Sequence, residues 1–379
     1  MSGIILTASP IERTVPMTSA ATIARNPFFM RALLRSSLTI LLALCCSSPL
    51  HAQSWKTLAT GSDSNLRGIS AAKITSTGHI AIWASGSHGV ILRSLDDGAT
   101  WTRLTVPGQP DLDFRGIVAI SDTTAYLMSS GEGDKSRIYK TSDGGQSWEQ
   151  LYTDIHKAFF LDSIACLSEK ICFALGDPLN GKFLILHSTD GHSWIPLPPK
   201  NFPDAIPKEG AFAASNSNLL VVSESELYVV TGGFAARVLH TTDAGKSWSA
   251  SAVPIAADNA SSGIFAITRS AENQLVAVGG DYANPTIALR TAAFSVDSAK
   301  SWQSPTQQPS GYCSAVTALN ANEFLAAGPT GSDLSTDNAA QWKSFPAPPL
   351  NTLFALDANH VYAAGPKGLI AQFVPADLK

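Results

Sequence analysis

Few cysteines and the lack of a long apolar run narrow the architecture of this chain. Five cysteines among 379 residues are too few for a fold held by disulfides. The apolar stretch from Leu38 to Cys46 is far shorter than the roughly 20 residues that a membrane-spanning helix needs. Helical hydrophobic periodicity is missing after residue 52. These absences favour an all-β fold that depends on its hydrophobic core rather than on disulfides.

The first 52 residues have the pattern of a targeting segment. Arg31 and Arg35 precede the apolar stretch, and the small residue Ala52 offers a cleavage position. We therefore predict an extension over residues 1–29, a signal peptide over residues 30–52 and an exported protein, periplasmic or extracellular. Neither Cys45 nor Cys46 follows a small residue, so a lipid anchor is not predicted, and no membrane span is expected after cleavage.

The balance of charge disfavours two classes of partner. Residues 53–379 carry 22 Lys and Arg against 29 Asp and Glu, a net charge near −7. A protein of this charge is poorly suited to nucleic acid or to an anionic membrane. The histidines are scattered without metal-ligand spacing, and no phosphate loop or dinucleotide fingerprint is present. We expect neither a metal nor a cofactor.

Tryptophans recur along the chain with a regular spacing. Seven of the eight lie at positions 55, 101, 148, 194, 248, 302 and 342, at intervals of 46, 47, 46, 54, 54 and 40 residues, and only Trp83 falls outside the series. A period of this length is typical of repeat architectures such as propellers.

A turn motif, S/T-x-D-x-G-x-S/T-W, precedes six of these tryptophans. It reads SLDDGATW before Trp101, TSDGGQSW before Trp148 and TTDAGKSW before Trp248. Three weaker copies put Ala in place of Gly or are one residue short. The aspartate can accept bonds from the following backbone N–H groups, and the glycine permits a left-handed conformation. The motif residues are Asp96, Gly98, Trp101, Asp143, Gly145, Trp148, Asp190, Trp194, Asp243, Gly245, Trp248, Asp297, Trp302, Asp337 and Trp342.

These repeats resemble the Asp-box, also called the bacterial neuraminidase (BNR) repeat. Asp-boxes occur in sialidases, sortilin-type receptors, some xyloglucan hydrolases and photosystem II assembly-factor-like propellers. The resemblance implies a β-propeller in which the Asp-box aspartates stabilise turns and take no part in catalysis. Several Gly-rich segments, such as Gly279–Tyr282, are also similar to exported bacterial propellers that are sometimes labelled oxidoreductases. No sequence motif supports that label.

Each repeat contains strand-like runs that predict a blade of four short antiparallel strands. The runs predicted as inner strands are Leu66–Ile69, Phe114–Ile117, Leu161–Ile164, Glu209–Phe212, Ser262–Phe265, Cys313–Val316 and Asn351–Phe354. The segment at Trp55 lacks its first three strands, and residues 351–373 lack an outer one. Joining the two closes a seventh blade and removes a free sheet edge. We predict a monomeric seven-bladed β-propeller over residues 53–379.

The loops at the end of the blades opposite the motif turns carry the candidate binding residues. We expect Asp177, Glu209, Arg237, Asp281 and Tyr282 to converge from blades 3, 4 and 5 near the mouth of the central tunnel. Such a group could bind a sugar, a cation or a peptide, and glycosidic chemistry needs two carboxylates at set distances. Solvated loop charges are the simpler alternative.

Arg67 and Arg115 hold equivalent positions at the start of two predicted inner strands, with Asp162 next in the series. The resemblance to sialidases would imply a third arginine and a Phe-Arg-Ile-Pro motif. Here the run is Phe114–Ile117, FRGI, without the proline. We therefore expect two arginines at the rim of the tunnel rather than a sialidase site.

Cys166 and Cys172 flank the predicted first hairpin of blade 3, and export would permit them to form a disulfide, leaving Cys313 free. The leading functional hypothesis is an exported, non-catalytic scaffold that binds a protein through its loops. The alternative is a glycoside hydrolase or polysaccharide-binding propeller using Asp177, Glu209 and Asp281 as carboxylates. An exported protein or a glycan is thus the expected partner.

Overall fold

The computed structural model describes residues 52–376, so the predicted extension over residues 1–29 and the predicted signal peptide, except Ala52, lie outside the described residues. The regular secondary structure of the described part is β-strand, apart from two single-turn 3-10 helices at Gly133–Lys135 and Pro199–Asn201. In this part of the chain no helix has the length and apolar character to cross a membrane.

Seven sheets of short antiparallel strands form the blades of a propeller, which confirms the predicted fold. The first strand, β1 (Ser54–Leu58), joins the last blade. Blade 1 contains β2 (Leu66–Lys73), β3 (Ile80–Gly86), β4 (Ile91–Ser94) and β5 (Thr102–Leu104). Blade 2 contains β6 (Asp113–Ala119), β7 (Ala125–Ser130), β8 (Arg137–Thr141) and β9 (Glu149–Thr153). Blade 3 contains β10 (Leu161–Cys166), β11 (Cys172–Leu179), β12 (Lys182–Ser188) and β13 (Ile195–Pro196).

The second half of the ring is less regular. Blade 4 contains β15 (Leu219–Val221), β16 (Leu227–Val230), β18 (Arg237–Thr241) and β19 (Ser249–Ala252). The two-residue strands β14 (Glu209–Gly210) and β17 (Gly232–Gly233) pair with each other and extend the sheet of blade 5 through Gly263. Blade 5 contains β20 (Ser262–Arg269), β21 (Leu275–Asp281) and β22 (Ala292–Ser295), and a reciprocal pair of backbone bonds between Phe294 and Gln303 marks its outer edge. Blade 6 contains β23 (Ala315–Ala318), β24 (Phe324–Gly328), β25 (Gly331–Ser335) and β26 (Lys343–Phe345). Blade 7 contains β27 (Thr352–Asp357), β28 (His360–Ala364) and β29 (Ile370–Val374).

Blade 7 is completed by the start of the chain, as the sequence predicts. Strand β1 pairs antiparallel with β29, from Ser54 opposite Val374 to Leu58 opposite Ile370. The Trp55 indole packs edge-on against Phe373, and its Nε1 donates to Ser332 Oγ of blade 6 at 3.1 Å. The ring therefore closes by strand pairing, which leaves no open blade edge at the seam.

The periodic tryptophans lie between the blades. Seven hydrophobic clusters fill the seven junctions between adjacent blades, and each of the seven tryptophans packs in a different cluster. Trp148, for example, contacts the cluster of blades 1 and 2 and lies edge-on to Trp83 at 6.4 Å. The spacing of the tryptophans is thus the spacing of the blade junctions, where burial of a large aromatic ring contributes most.

The aspartate turns join the third and fourth strands of their blades. In the turn before Trp148, Asp143 Oδ1 accepts from the Ser147 N–H at 2.9 Å and Asp143 Oδ2 accepts from Ser147 Oγ at 2.6 Å. These bonds to the ionised form lower the pKa of Asp143 to about 2. Gly145 has φ +84°, and Ala299 occupies the same left-handed region in a weaker copy with φ +65°. The turns lie at what we call the lower end of the blades, where the inner strands finish.

The prediction of Glu209–Phe212 as the inner strand of blade 4 is wrong. Only Glu209–Gly210 forms a strand, and it pairs with Gly232–Gly233 in the sheet of blade 5, whereas the inner strand of blade 4 is Leu219–Val221. Residues 211–218 form an excursion into the central tunnel, where Asn216 Oδ1 accepts from the Ile164 N–H at 2.8 Å and Asn216 Nδ2 donates to Ile164 O at 3.0 Å. Thr352 Oγ1 donates to Ser215 O at 2.8 Å. The interval from Trp194 to Trp248 is 54 residues, longer than the three before it, but this length does not show where the strand breaks.

Cys166 and Cys172 are directly opposite each other in the first hairpin of blade 3, and they form a disulfide. Cys313 is buried with a free thiol.

Candidate functional site

The excursion separates two cavities on the propeller axis. The upper cavity, of about 330 Å³, lies at the end of the blades where the inner strands begin, and Ala213 and Ala214 form part of its floor. A smaller lower cavity is lined mainly by apolar residues of the inner strands together with Ser215, Asn216 and Ser217. The upper cavity contains the predicted rim arginines and is the candidate functional site.

One wall of the upper cavity is cationic. Arg67 and Arg115 reach it from the starts of β2 and β6. Two nitrogen atoms of Arg115 already form hydrogen bonds within the protein: its Nε donates to Asp113 Oδ2 at 2.7 Å and its Nη1 donates to Ala213 O at 3.0 Å. Arg67 forms no hydrogen bond or ion pair with any residue between 52 and 376. Burial and, secondarily, the charge of Arg115 lower the pKa of Arg67 below its usual value.

The opposite wall is aromatic. The rings of Phe212 and Phe265 stack in parallel with centroids 4.0 Å apart, and Tyr312 lies edge-on to Phe265 at 4.7 Å. Tyr282 stands at the rim, 53% exposed, and is edge-on to both phenylalanines at 6.1 Å. The Phe212 ring lies flat on the backbone at Gly232, where a Cβ atom would overlap it. Glycine is required at this close approach.

Four further candidate residues hold the loops around the cavity and do not line it. Glu209 is wholly buried and accepts from Thr231 Oγ1 at 2.6 Å and from Arg237 Nε at 2.8 Å, while its second oxygen accepts from the Ile206 N–H at 2.7 Å. The carboxylate and guanidinium therefore satisfy each other in a buried pair. Replacing either partner alone would leave the other charge buried and unpaired.

The remaining carboxylates are also engaged by the fold. Asp281 accepts four hydrogen bonds, from Ser261 Oγ, the Ala283 N–H and the side-chain amides of Asn259 and Asn284, at 2.6 to 3.1 Å. Although burial opposes ionisation, these bonds lower the pKa of Asp281 to about 2. Asp177 Oδ1 accepts from the Ala211 N–H at 2.8 Å, and burial raises the pKa of Asp177. This bond tethers the start of the excursion.

The predicted set therefore divides into two groups. Arg67, Arg115 and Tyr282 line the upper cavity, whereas Asp177, Glu209, Arg237 and Asp281 do not. Phe212, Phe265 and Tyr312 were missed by the sequence reasoning. Phe212 and Phe265 occupy the fourth position of consecutive inner-strand runs, so an alignment of the seven runs could have pointed to a shared aromatic wall.

No protein-family model matches the chain. A stretch of 76 residues is 38% identical to the photosystem II assembly lipoprotein Ycf48 of Synechococcus sp. (strain CC9902), and it covers 19% of this chain and 20% of that protein. A structure described as YCF48 bound to D1 peptide superposes with a TM-score of 0.61 at 16% identity, over 86% of this chain and 99% of that one. The chain shares its fold with Ycf48. YCF48 from Cyanidioschyzon merolae gives a TM-score of 0.60 at 15% identity, over 84% of this chain and 98% of that one.

Proposed function

We propose that this protein is an exported, non-catalytic scaffold that binds a polypeptide partner at its upper cavity. The observation that carries the proposal is Arg67, a partly buried guanidinium without a partner among the described residues, in a cavity whose opposite wall is aromatic. An arginine in such surroundings is available to a charged or polar group of a partner, and aromatic and arginine side chains supply much of the binding energy at protein interfaces.

The comparisons support a scaffold by analogy. The Synechococcus relative is named as an assembly protein, and one Ycf48 structure of the same fold holds a peptide. We infer that the turns are Asp-boxes, because the aspartate of the motif accepts hydrogen bonds from the N–H and hydroxyl of the residue four positions later, as in Asp143 and Ser147. A hydrolase is not favoured by any contact, because Asp177, Glu209 and Asp281 are each bonded within the loops and none lines the cavity. Export rests on the N-terminal sequence pattern alone.

An affinity capture tests the proposal. The purified protein is used as bait for chemically cross-linked exported proteins of the source organism, in three forms: unchanged, Arg67→Glu and Arg103→Glu. Arg103 lies on the exposed outer strand of blade 1, so its variant has the same change of charge away from the cavity. We expect one dominant partner with the unchanged protein and with Arg103→Glu, and at least a tenfold loss with Arg67→Glu. Equal recovery by all three baits would refute the proposal.

A further inference from the structure

The two walls of the upper cavity have chemistries that a single ligand group can satisfy together. Arg67 approaches from blade 1, while Phe212, Phe265, Tyr282 and Tyr312 approach from blades 4, 5 and 6. A purely apolar ligand would leave the guanidinium buried without a partner, which is costly. A small hydrophilic anion would leave the aromatic wall without a contact. A ligand that fits the cavity must therefore carry both an anionic group for Arg67 and an apolar group for the aromatic rings.

The contacts of Arg115 indicate which of the two arginines can bind the ligand. Two of its nitrogen atoms already bond to Asp113 and to the Ala213 carbonyl, so it adds positive charge near the cavity while its donors are partly used. Arg67 is thus the arginine with donors to offer. Its planar fork suits a carboxylate, which can accept two parallel N–H bonds.

The geometry points to a ligand in which a carboxylate is joined through a short linker to a flat apolar group, an aryl-alkyl carboxylate in chemical terms. The carboxylate pairs with Arg67, and the ring packs on the wall of Phe212 and Tyr282. This inference rests on the proposed function and specifies the chemical group that the site would recognise. Two sources carry that group: a polypeptide that ends in an aromatic residue with a free carboxylate, and a free aromatic acid.

The shared chemistry is tested with a matched pair of probes, 3-phenylpropionate and its uncharged amide, by calorimetric titration. We expect the acid to bind at least about tenfold more tightly than the amide, as a charge-assisted bidentate contact implies. In Arg67→Gln the advantage of the acid disappears, whereas Arg103→Gln retains it. In Tyr282→Ala the acid and the amide weaken together, because both lose the ring contact. Equal affinity for acid and amide, or an unchanged preference in Arg67→Gln, would overturn the inference.

The two sources are separated with peptides. Acetyl-Gly-Gly-Phe is compared as the free acid and as the C-terminal amide. Binding of the peptide acid at least as tight as that of 3-phenylpropionate assigns the site to chain ends, and exclusion of the peptide while 3-phenylpropionate binds assigns it to small acids.

Failure of every acid to bind overturns the inference while leaving Arg67-dependent capture of a partner intact. Binding of an acid without any captured partner contradicts the proposed function alone.

Discussion

At the scale of single residues, the least satisfied group in the described chain is Asp162. It follows Arg67 and Arg115 in the series of inner-strand positions, but its carboxyl is completely buried and neither oxygen has a hydrogen-bond partner among residues 52–376. Burial and the nearby Asp177 raise the pKa of Asp162 well above its ordinary value, and Arg115 opposes them only in part. The folded protein therefore holds this carboxyl neutral at a pH where the unfolded chain ionises it.

The raised pKa of Asp162 makes the stability of the fold depend on pH. A carboxyl with a raised pKa in the folded state destabilises the fold progressively as pH rises from its unfolded value of about 4 towards the folded value. We expect Asp162→Asn to gain stability relative to the unchanged protein across this range, with a gap that widens as pH increases. Urea unfolding at pH 4, 6 and 8 measures the gap. Asp63→Asn, at an exposed position, should show no such trend. A gap independent of pH would contradict this account.

At the scale of elements, the excursion of residues 211–218 depends on the side chain of Asn216, which forms the two backbone hydrogen bonds that a neighbouring strand would otherwise form. Asn216 has φ +60°, a conformation that asparagine tolerates better than most residues, and its amide satisfies both backbone groups of Ile164. These groups would otherwise be left without partners in the central tunnel. The same bonds place Ala213 and Ala214 in the floor of the upper cavity.

We expect Asn216→Ala to lower the free energy of unfolding by about 2–4 kcal/mol, because two buried backbone groups lose their partners and alanine is strained at positive φ. Chemical denaturation measures the change. Asn359→Ala, in the exposed turn between β27 and β28, provides the control and should change stability by less than about 0.5 kcal/mol. Similar stabilities for the two variants would show that the excursion is not held by Asn216.

Repetition explains why some elements could be predicted from sequence and others could not. The tryptophan spacing and the aspartate turns predicted seven blades and the seam at Trp55, because each repeats a contact with a fixed physical cause. The excursion breaks that repetition, and its bonds join residues 52 positions apart at Ile164 and 137 apart at Thr352. Arg67 and Arg115 could be located from their equivalent positions in the repeats. Only Arg115 has its donors engaged, by Asp113 and the Ala213 carbonyl, and the repeat pattern does not predict these contacts.

At the scale of the whole molecule, stability depends on closing the ring. Blade 7 takes its outer strand from the beginning of the chain, so one short pairing between β1 and β29 joins residues more than 300 positions apart. Leu58 is buried at this seam, and Trp55 also reaches blade 6. Without β1, the edge of β29 would be free to pair with another chain.

Deleting residues 52–59 should lower the melting temperature by about 10 °C and promote self-association, because several kcal/mol of strand pairing and apolar burial are lost. Calorimetry and size-exclusion chromatography measure the two effects. A synthetic peptide of residues 52–60, added in excess, should restore the melting temperature in a concentration-dependent manner, whereas a scrambled peptide should not. A deleted protein that melts normally and elutes as the unchanged one does would show that the seam is dispensable.

The direction of β1 and β29 has a practical consequence. β1 enters the seam from the lower end at Ser54, and β29 leaves it at the same end at Val374. The upper cavity opens at the other end. A protein attached to a bead, a sensor chip or any other support close to Ser54 or Val374 would thus turn its arginine and aromatic walls outward, and ligands could reach the cavity from solution without passing the support.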